Sequence, residues 1–261
     1  MKIKETSWLF VLLTPSRWGE ALRYVFAPYV AMGAADRPDP RDLDAKIPLG
    51  ALTVTLPEKF SIREKAIALG WGPTKQSHNS CTAYSKCGSV ERINTMEHAQ
   101  PVSINAEIQW AHQEETGATR ENGDFIQNAE YQFHRNPQGF PQTKYRRMRR
   151  NENTVYGTKR WLVGKQEEVR TGIYWKWCAE EHKMNMKVMQ DTGYFTPGQG
   201  TILGGHAVTI TGWDDSRAAF EIVESELMQW GDNPPGVFWV RYEDFDRMFS
   251  KYISQDSIDL I

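Results

Sequence analysis

Cysteine is scarce in this chain, with three residues in 261. Cys81, Cys87 and Cys178 cannot build a disulfide framework, and no Cys-x-x-Cys or Cys/His pair has zinc spacing. A stapled secreted scaffold and a cysteine-built zinc site are therefore not expected, and the thiols fit a reducing compartment. An excess of one charge is missing too. Lys and Arg number 31 against 33 Asp and Glu, a formal net charge of -2, so no general field would hold the chain on nucleic acid or an anionic membrane. Long apolar runs are absent, and nothing approaches the roughly 20 residues of a membrane span. The start, "MKIKETSWLFVLL", has two lysines, but its apolar run Trp8–Leu13 is followed closely by Arg17, Glu20 and Arg23. That run is shorter than the apolar core of a secretory leader, so secretion is not expected. Internal repeats and low-complexity tracts are also lacking.

What is present is an ordinary globular composition, 40% hydrophobic and 25% charged, long enough for a sizeable core. Residues 1–36 read as helical pieces rich in Trp, Phe, Tyr and Leu, broken by Pro15 and Pro28. "DRPDPRDLDAKIP" (36–48) is a Pro/Asp connector and "LGALTVTLP" (49–57) alternates like a strand, which places a boundary near residue 50. Helices are expected at 80–96, 105–115, 125–135 and 160–168, with a basic loop at 141–154. Later, "VRTGIYWKW" (169–177), "HAVTITGW" (206–213), "AFEIV" (219–223) and "GVFWVRY" (236–242) read as strands, the middle two forming a hairpin across "DDSRA". "GYFTPGQGTILGG" (193–205) reads as a loop. Helices first and strands second give an α+β class with two lobes.

Two residues carry candidate chemistry. Cys81 follows "KQSHNS" and opens the expected helix, where unpaired N–H groups and the positive end of the helix dipole favour a thiolate. His206 opens a strand after Gly204 and Gly205, an odd place for an ionisable ring unless it faces a partner. Cys87 lies nearly two turns further along among apolar positions and reads as core.

These blocks resemble the papain-like cysteine peptidases of the C1 type, in the family's order. "LPEKFSIRE" (56–64), with Arg63, is similar to the block that opens the mature family members. "KQSHNSCTAYSKCGSVE" (75–91) resembles the nucleophile block, and "GGHAVTITGWDD" (204–215) the general-base block. "FEIVESELMQWGDNPPGVFWVRY" (220–242) is similar to the third block through its "WGDN" and the aromatic strand that follows. The resemblance spans about residues 56–245 and implies a papain-like two-lobe fold, a helical lobe and an antiparallel β lobe, with an extra N-terminal segment. It divides the chain into an arm at 1–50, propeptide-like or docking on this chain or a partner, and a peptidase domain at 51–261. The roles implied are Cys81 as nucleophile, His206 as base, and Gln76 with the Cys81 N–H as oxyanion donors. Gly204 and Gly205 would border the substrate backbone.

The sequence departs from the family pattern at specific positions. Glu224 stands where the family has the triad Asn; a carboxylate can also orient the ring and stabilise imidazolium. Glu226 replaces an aromatic shield, for which Trp230 is the substitute. Gln76 precedes Cys81 by one residue fewer than in the family. His78 occupies the place of a disulfide cysteine.

The implied function is endopeptidase hydrolysis without a cofactor, with a polypeptide in the interlobe cleft. The alternatives are a catalytically inactive papain-fold binding or structural module, such as a component of a phage particle, and acyl transfer by the same pair. In flavour the blocks resemble bacterial and bacteriophage members, which implies a bacterial host cytoplasm or a virion as the location. Neither membrane nor nucleic acid is expected as a partner.

Overall fold

The computed structural model describes residues 34–35, 43–45, 55–133, 144–148, 154–165, 168–176, 179–197, 202–245 and 249–257. Six helices appear among them: α1 (Ile62–Ala68), α2 (Cys81–His98), α3 (Ala106–Glu114), α4 (Ile126–Phe133), α5 (Val155–Lys165) and α6 (Ala179–Thr192). The strands are β1 (Ala34–Ala35), β2 (Leu43–Ala45), β3 (Lys59–Ser61), β4 (Asp124–Phe125), β5 (Lys144–Met148), β6 (Val169–Lys176), β7 (Ile202–Asp214), β8 (Ala219–Val223), β9 (Val237–Arg241) and β10 (Phe249–Ser257). The fold is α+β, as expected.

Short polar side chains set several helix starts. Ser61 accepts from the Glu64 N–H at 3.0 Å and starts α1. Asn105 accepts from the Glu107 N–H and starts α3. The main sheet runs β2-β5-β10-β6-β7-β8-β9, with β3 also paired to β7. Its centre, β6 to β9, is antiparallel. Val208, Ile210, Phe220, Ile222, Phe238 and Val240 from these strands close a core with Ile62, Trp161 and Trp213. Fully burying each such side chain contributes about 1.5–3 kcal/mol. β3 runs close over β7 at Gly212, where a Cβ would lie 2.1 Å from the Phe60 carbonyl oxygen.

Helix α2 lies between this sheet and a second cluster formed by Tyr84, Cys87, Val90, Ile93, Ile104 and Phe133. Buried cations tie it to the sheet. The Arg92 guanidinium donates to both Glu168 oxygens, at 2.5 and 2.6 Å. Arg170 on β6 donates to the Thr82 carbonyl at 2.9 Å and to the Ser85 hydroxyl at 3.0 Å. At the other end of the core, Arg63 pairs with Glu221 at 2.7 Å; Ser61 and Thr211 also donate to that carboxylate. Arg92 and Arg63 are thereby each paired with a carboxylate, and Arg170 is hydrogen-bonded, which offsets the cost of burying them.

Several expectations are corrected. The basic stretch read as a loop contains β5, and pairing with β2 and β10 explains it. The helix expected at 160–168 begins earlier, at Val155, and ends at Lys165. No strand is formed at 55–57; the strand of that region is β3, and it leads directly into α1. Helix α6 was not anticipated. Of the expected N-terminal helices and the connector, only β1 and β2 are described, and both are strand. The boundary near residue 50 lies outside the described residues.

Candidate active site

The turn that delivers Cys81 is built by its neighbours. The Ser80 N–H donates to the His78 carbonyl at 2.7 Å, and the Ser80 hydroxyl donates to the same oxygen at 3.2 Å. The hydroxyl therefore supplies no cap to α2, whose first residue is Cys81. The nucleophile candidate sits at the helix N-terminus, as the sequence suggested. Its sulfur accepts from the Ala207 N–H at 3.4 Å, so strand β7 reaches across to the end of α2. Cys81, Ile126 and Ala207 pack as one small cluster.

His206 neighbours that contact on β7 and lies opposite Ile173 of β6. The strand starts at Ile202, so His206 is inside it rather than at its start. Gly204 and Gly205 are strand residues too, opposite Trp175 and Tyr174, and not the end of a loop. The ring is 3% exposed. Burial by itself pushes the imidazolium pKa down. The negative charge and hydrogen bond of Cys81, followed by Glu224 and the charge of Glu226, overcome that and hold it well above the ordinary range. Nε2 lies 3.7 Å from Glu224 Oε2, an ion-pair contact longer than a hydrogen bond.

Glu224 follows β8 directly and is 4% exposed. Its carboxylate is well partnered. Oε2 accepts from the Glu226 N–H at 2.5 Å; Oε1 accepts from the Met228 N–H at 2.9 Å and the Trp230 indole N–H at 3.4 Å. These donors let a charge persist in a buried site. Gly236 makes the loop possible: its φ is +76°, and a Cβ there would lie 2.7 Å from Leu227 Cδ2 and 2.8 Å from the Glu224 carbonyl. Trp230 belongs to the core, edge-on to Phe238. It supports Glu224 from below and presents no open face on which a substrate could lie.

Gln76 is pinned against the same loop. Its N–H donates to the Ser225 carbonyl at 2.8 Å, and its side-chain oxygen accepts from the Ser225 hydroxyl at 2.5 Å. One amide N–H donates to the His78 carbonyl at 3.1 Å; no described residue accepts the other. The shorter spacing to Cys81 is thus absorbed in the turn at 77–80. His78 faces elsewhere. Its Nδ1 is 2.7 Å from the Ser77 hydroxyl, and its ring meets Trp110 edge-on.

Beside Gln76 opens a cavity of about 310 Å³, lined by Lys75, Gln76, Ser77, His78, Asn79, Glu226 and Met228. Cys81 itself is fully buried. β1 lies against β7 and pairs in parallel with β4, Ala34 opposite Asp124 and Ala35 opposite Phe125. Cys87 is buried in the helical cluster, and burial pushes its thiol pKa up, away from nucleophilic use. Cys178 lies outside the described residues.

Sequence reasoning missed the Ala207 N–H on the sulfur, which no residue type signals. It also missed the charge of Glu226 on the ring; only the alternation in "ESE" hinted at it. Among the described residues no group of three or more His, Cys, Asp or Glu could hold a metal, and no helix is long and apolar enough to cross a membrane.

No protein-family model matches the chain, and no curated protein matches it by sequence. Solved structures do match it in fold. Xylellain, a cysteine protease from Xylella fastidiosa, aligns with a TM-score of 0.64 at 17% identity, covering 88% of this chain and 97% of that one. Procathepsin B S9 from Trypanosoma congolense aligns at 0.63 and 16% identity, covering 90% and 88%. The digestive procathepsin L 3 of the Tenebrio molitor larval midgut aligns at 0.60 and 16% identity, covering 93% and 81%. The fold is that of the papain-like cysteine proteases.

Proposed function

We propose that this chain is a papain-like thiol peptidase that hydrolyses peptide bonds with Cys81 and His206. The observation that carries the reading is the meeting of strand β7 with the start of α2, which brings His206 to Cys81 with the Glu224 carboxylate beside the ring. An imidazole beside the thiol can take its proton, which leaves the sulfur to attack. The sulfur bonds to the scissile carbonyl carbon, and the carbonyl electrons move onto oxygen. The free N–H of Gln76 and the N–H of Cys81 receive that oxyanion. When the C–N bond breaks, His206 gives its proton to the leaving amine. It then takes a proton from the water that frees the acyl group.

The segment 1–50 is read as a resident occupant of the site. Support comes from β1, which pairs with β4 and lies on the strand that carries His206, and from the complete burial of Cys81. Peptide hydrolysis by the full chain, before and after limited proteolysis within 1–50, tests both parts. Cleavage that rises after the nick and vanishes in Cys81→Ala is expected. Hydrolysis that persists in Cys81→Ala, or none under either condition, would overturn the reading in favour of an inactive binding module.

A further inference from the structure

We infer that the cavity beside Gln76 receives a lysine or arginine side chain of the substrate, placed directly after the scissile bond and selected by Glu226. This deepens the peptidase reading and rests on it. Its direction follows from the proton. His206 must hand a proton to the departing amine, so the departing half of the substrate leaves on the side of the ring. Glu226 adjoins the carboxylate that partners the ring: its N–H donates to Glu224, its charge acts on His206, and it lines the cavity. Gln76, the proposed oxyanion donor, lines the same cavity and is held against Ser225, the neighbour of Glu226. A substrate that runs from the oxyanion donor toward Glu226 puts its first departing residue at this cavity.

The lining suits an amphipathic cation. The volume of about 310 Å³ is at the lower end of small-ligand pockets, ample for one long side chain. Met228 offers a thioether wall for an aliphatic stem, and Glu226 a carboxylate for the head. Glu226 is half-buried, and no described residue forms an ion pair with it. The one fixed cation of the cavity, Lys75, is exposed and likewise forms no ion pair with a described residue. His78 is turned to Ser77 and Trp110. A substrate cation would therefore meet an available carboxylate near the ring, with Lys75 opposing it from the rim.

The experiment reads the residue that follows each cut. Casein is digested with the full chain and with Ala35→Pro, in which β1 loses a backbone N–H, and the new amino termini are sequenced. Lys and Arg are expected there about fivefold above their frequency in casein, near the upper end for an ion pair of this exposure. Glu226→Gln should bring the enrichment to about one, Lys75→Gln should raise it, and Glu226→Lys should replace it with enrichment of Asp and Glu. Cutting that depends on Cys81 but shows no basic preference, or a preference unchanged in Glu226→Lys, overturns the inference alone. No cutting by either protein, or cutting by Cys81→Ala, overturns the peptidase reading and this inference with it.

Discussion

Replacing Glu224 tests the site at its least ordinary position. At 3.7 Å from Nε2, the full Coulomb attraction is about 4 kcal/mol at an effective dielectric near 20, a ceiling before desolvation is subtracted. Three substitutions separate charge from hydrogen bonding. Glu224→Gln keeps an oxygen for one of the backbone N–H groups of Glu226 and Met228 but removes the charge. Glu224→Ala removes both and leaves those donors buried, at a cost of about 1–3 kcal/mol in stability. Glu224→Asp keeps the charge and withdraws it by one methylene.

The sign of the pH effect is fixed. Glu224 favours imidazolium, so its loss lowers the His206 pKa, and the alkaline limb of kcat/KM moves to lower pH. The same raised pKa contributes folding stability that is complete below the ordinary histidine value and is lost as pH climbs through the raised one. The assay is kcat/KM per titrated active site across pH, with urea unfolding of each variant. Glu224→Gln should lose about 10- to 100-fold in kcat/KM, equivalent to about 1.4–2.7 kcal/mol of transition-state stabilisation, with its alkaline limb shifted down. A Glu224→Gln enzyme with native rate and native pH profile would refute the assignment of Glu224 to the ring.

Three further outcomes follow from the same geometry. Gln76→Ala should lower kcat by about 100-fold or more with little change in KM, because the lost donor serves the oxyanion and not the ground state; an effect on KM alone would place Gln76 elsewhere. Arg92→Met should cost about 3–5 kcal/mol in urea unfolding by leaving the Glu168 carboxylate buried without its cation, and Arg92→Met with Glu168→Leu should recover most of the loss. Ala35→Pro should speed iodoacetamide labelling of Cys81, by peptide mapping, while Cys87 stays slow; equal slow labelling of both would detach β1 from any covering role.

How far the sequence could be read depends on where each element lies. The strands around His206 were legible because apolar residues repeat along them and polar turns such as 215–218 separate them. α6 and β5 were not, because their sequences "AEEHKMNMKVMQDT" and "KYRRM" are polar and carry no apolar stripe that announces a core face. β5 is held by backbone pairing to β2 and β10, which leaves no mark on side-chain pattern. Helix α2 shows the opposite difficulty. It is buried on nearly every side, so it has no polar face, and Lys86, Glu91 and Arg92 lie inside the protein with the apolar residues. What sequence can carry there is chemistry of type and order, a cysteine at a helix start and a later histidine before apolar positions. Which of two carboxylates meets the ring is another kind of fact. Glu224 and Glu226 are two residues apart, and Leu227 at φ +54° with Gly236 at +76° folds their loop. That fold presents Glu224 to Nε2 and leaves Glu226 for the cavity wall. On the proposed reading the two acids divide, one to orient the base and one to line the path of the leaving group, and the loop that follows them makes the division.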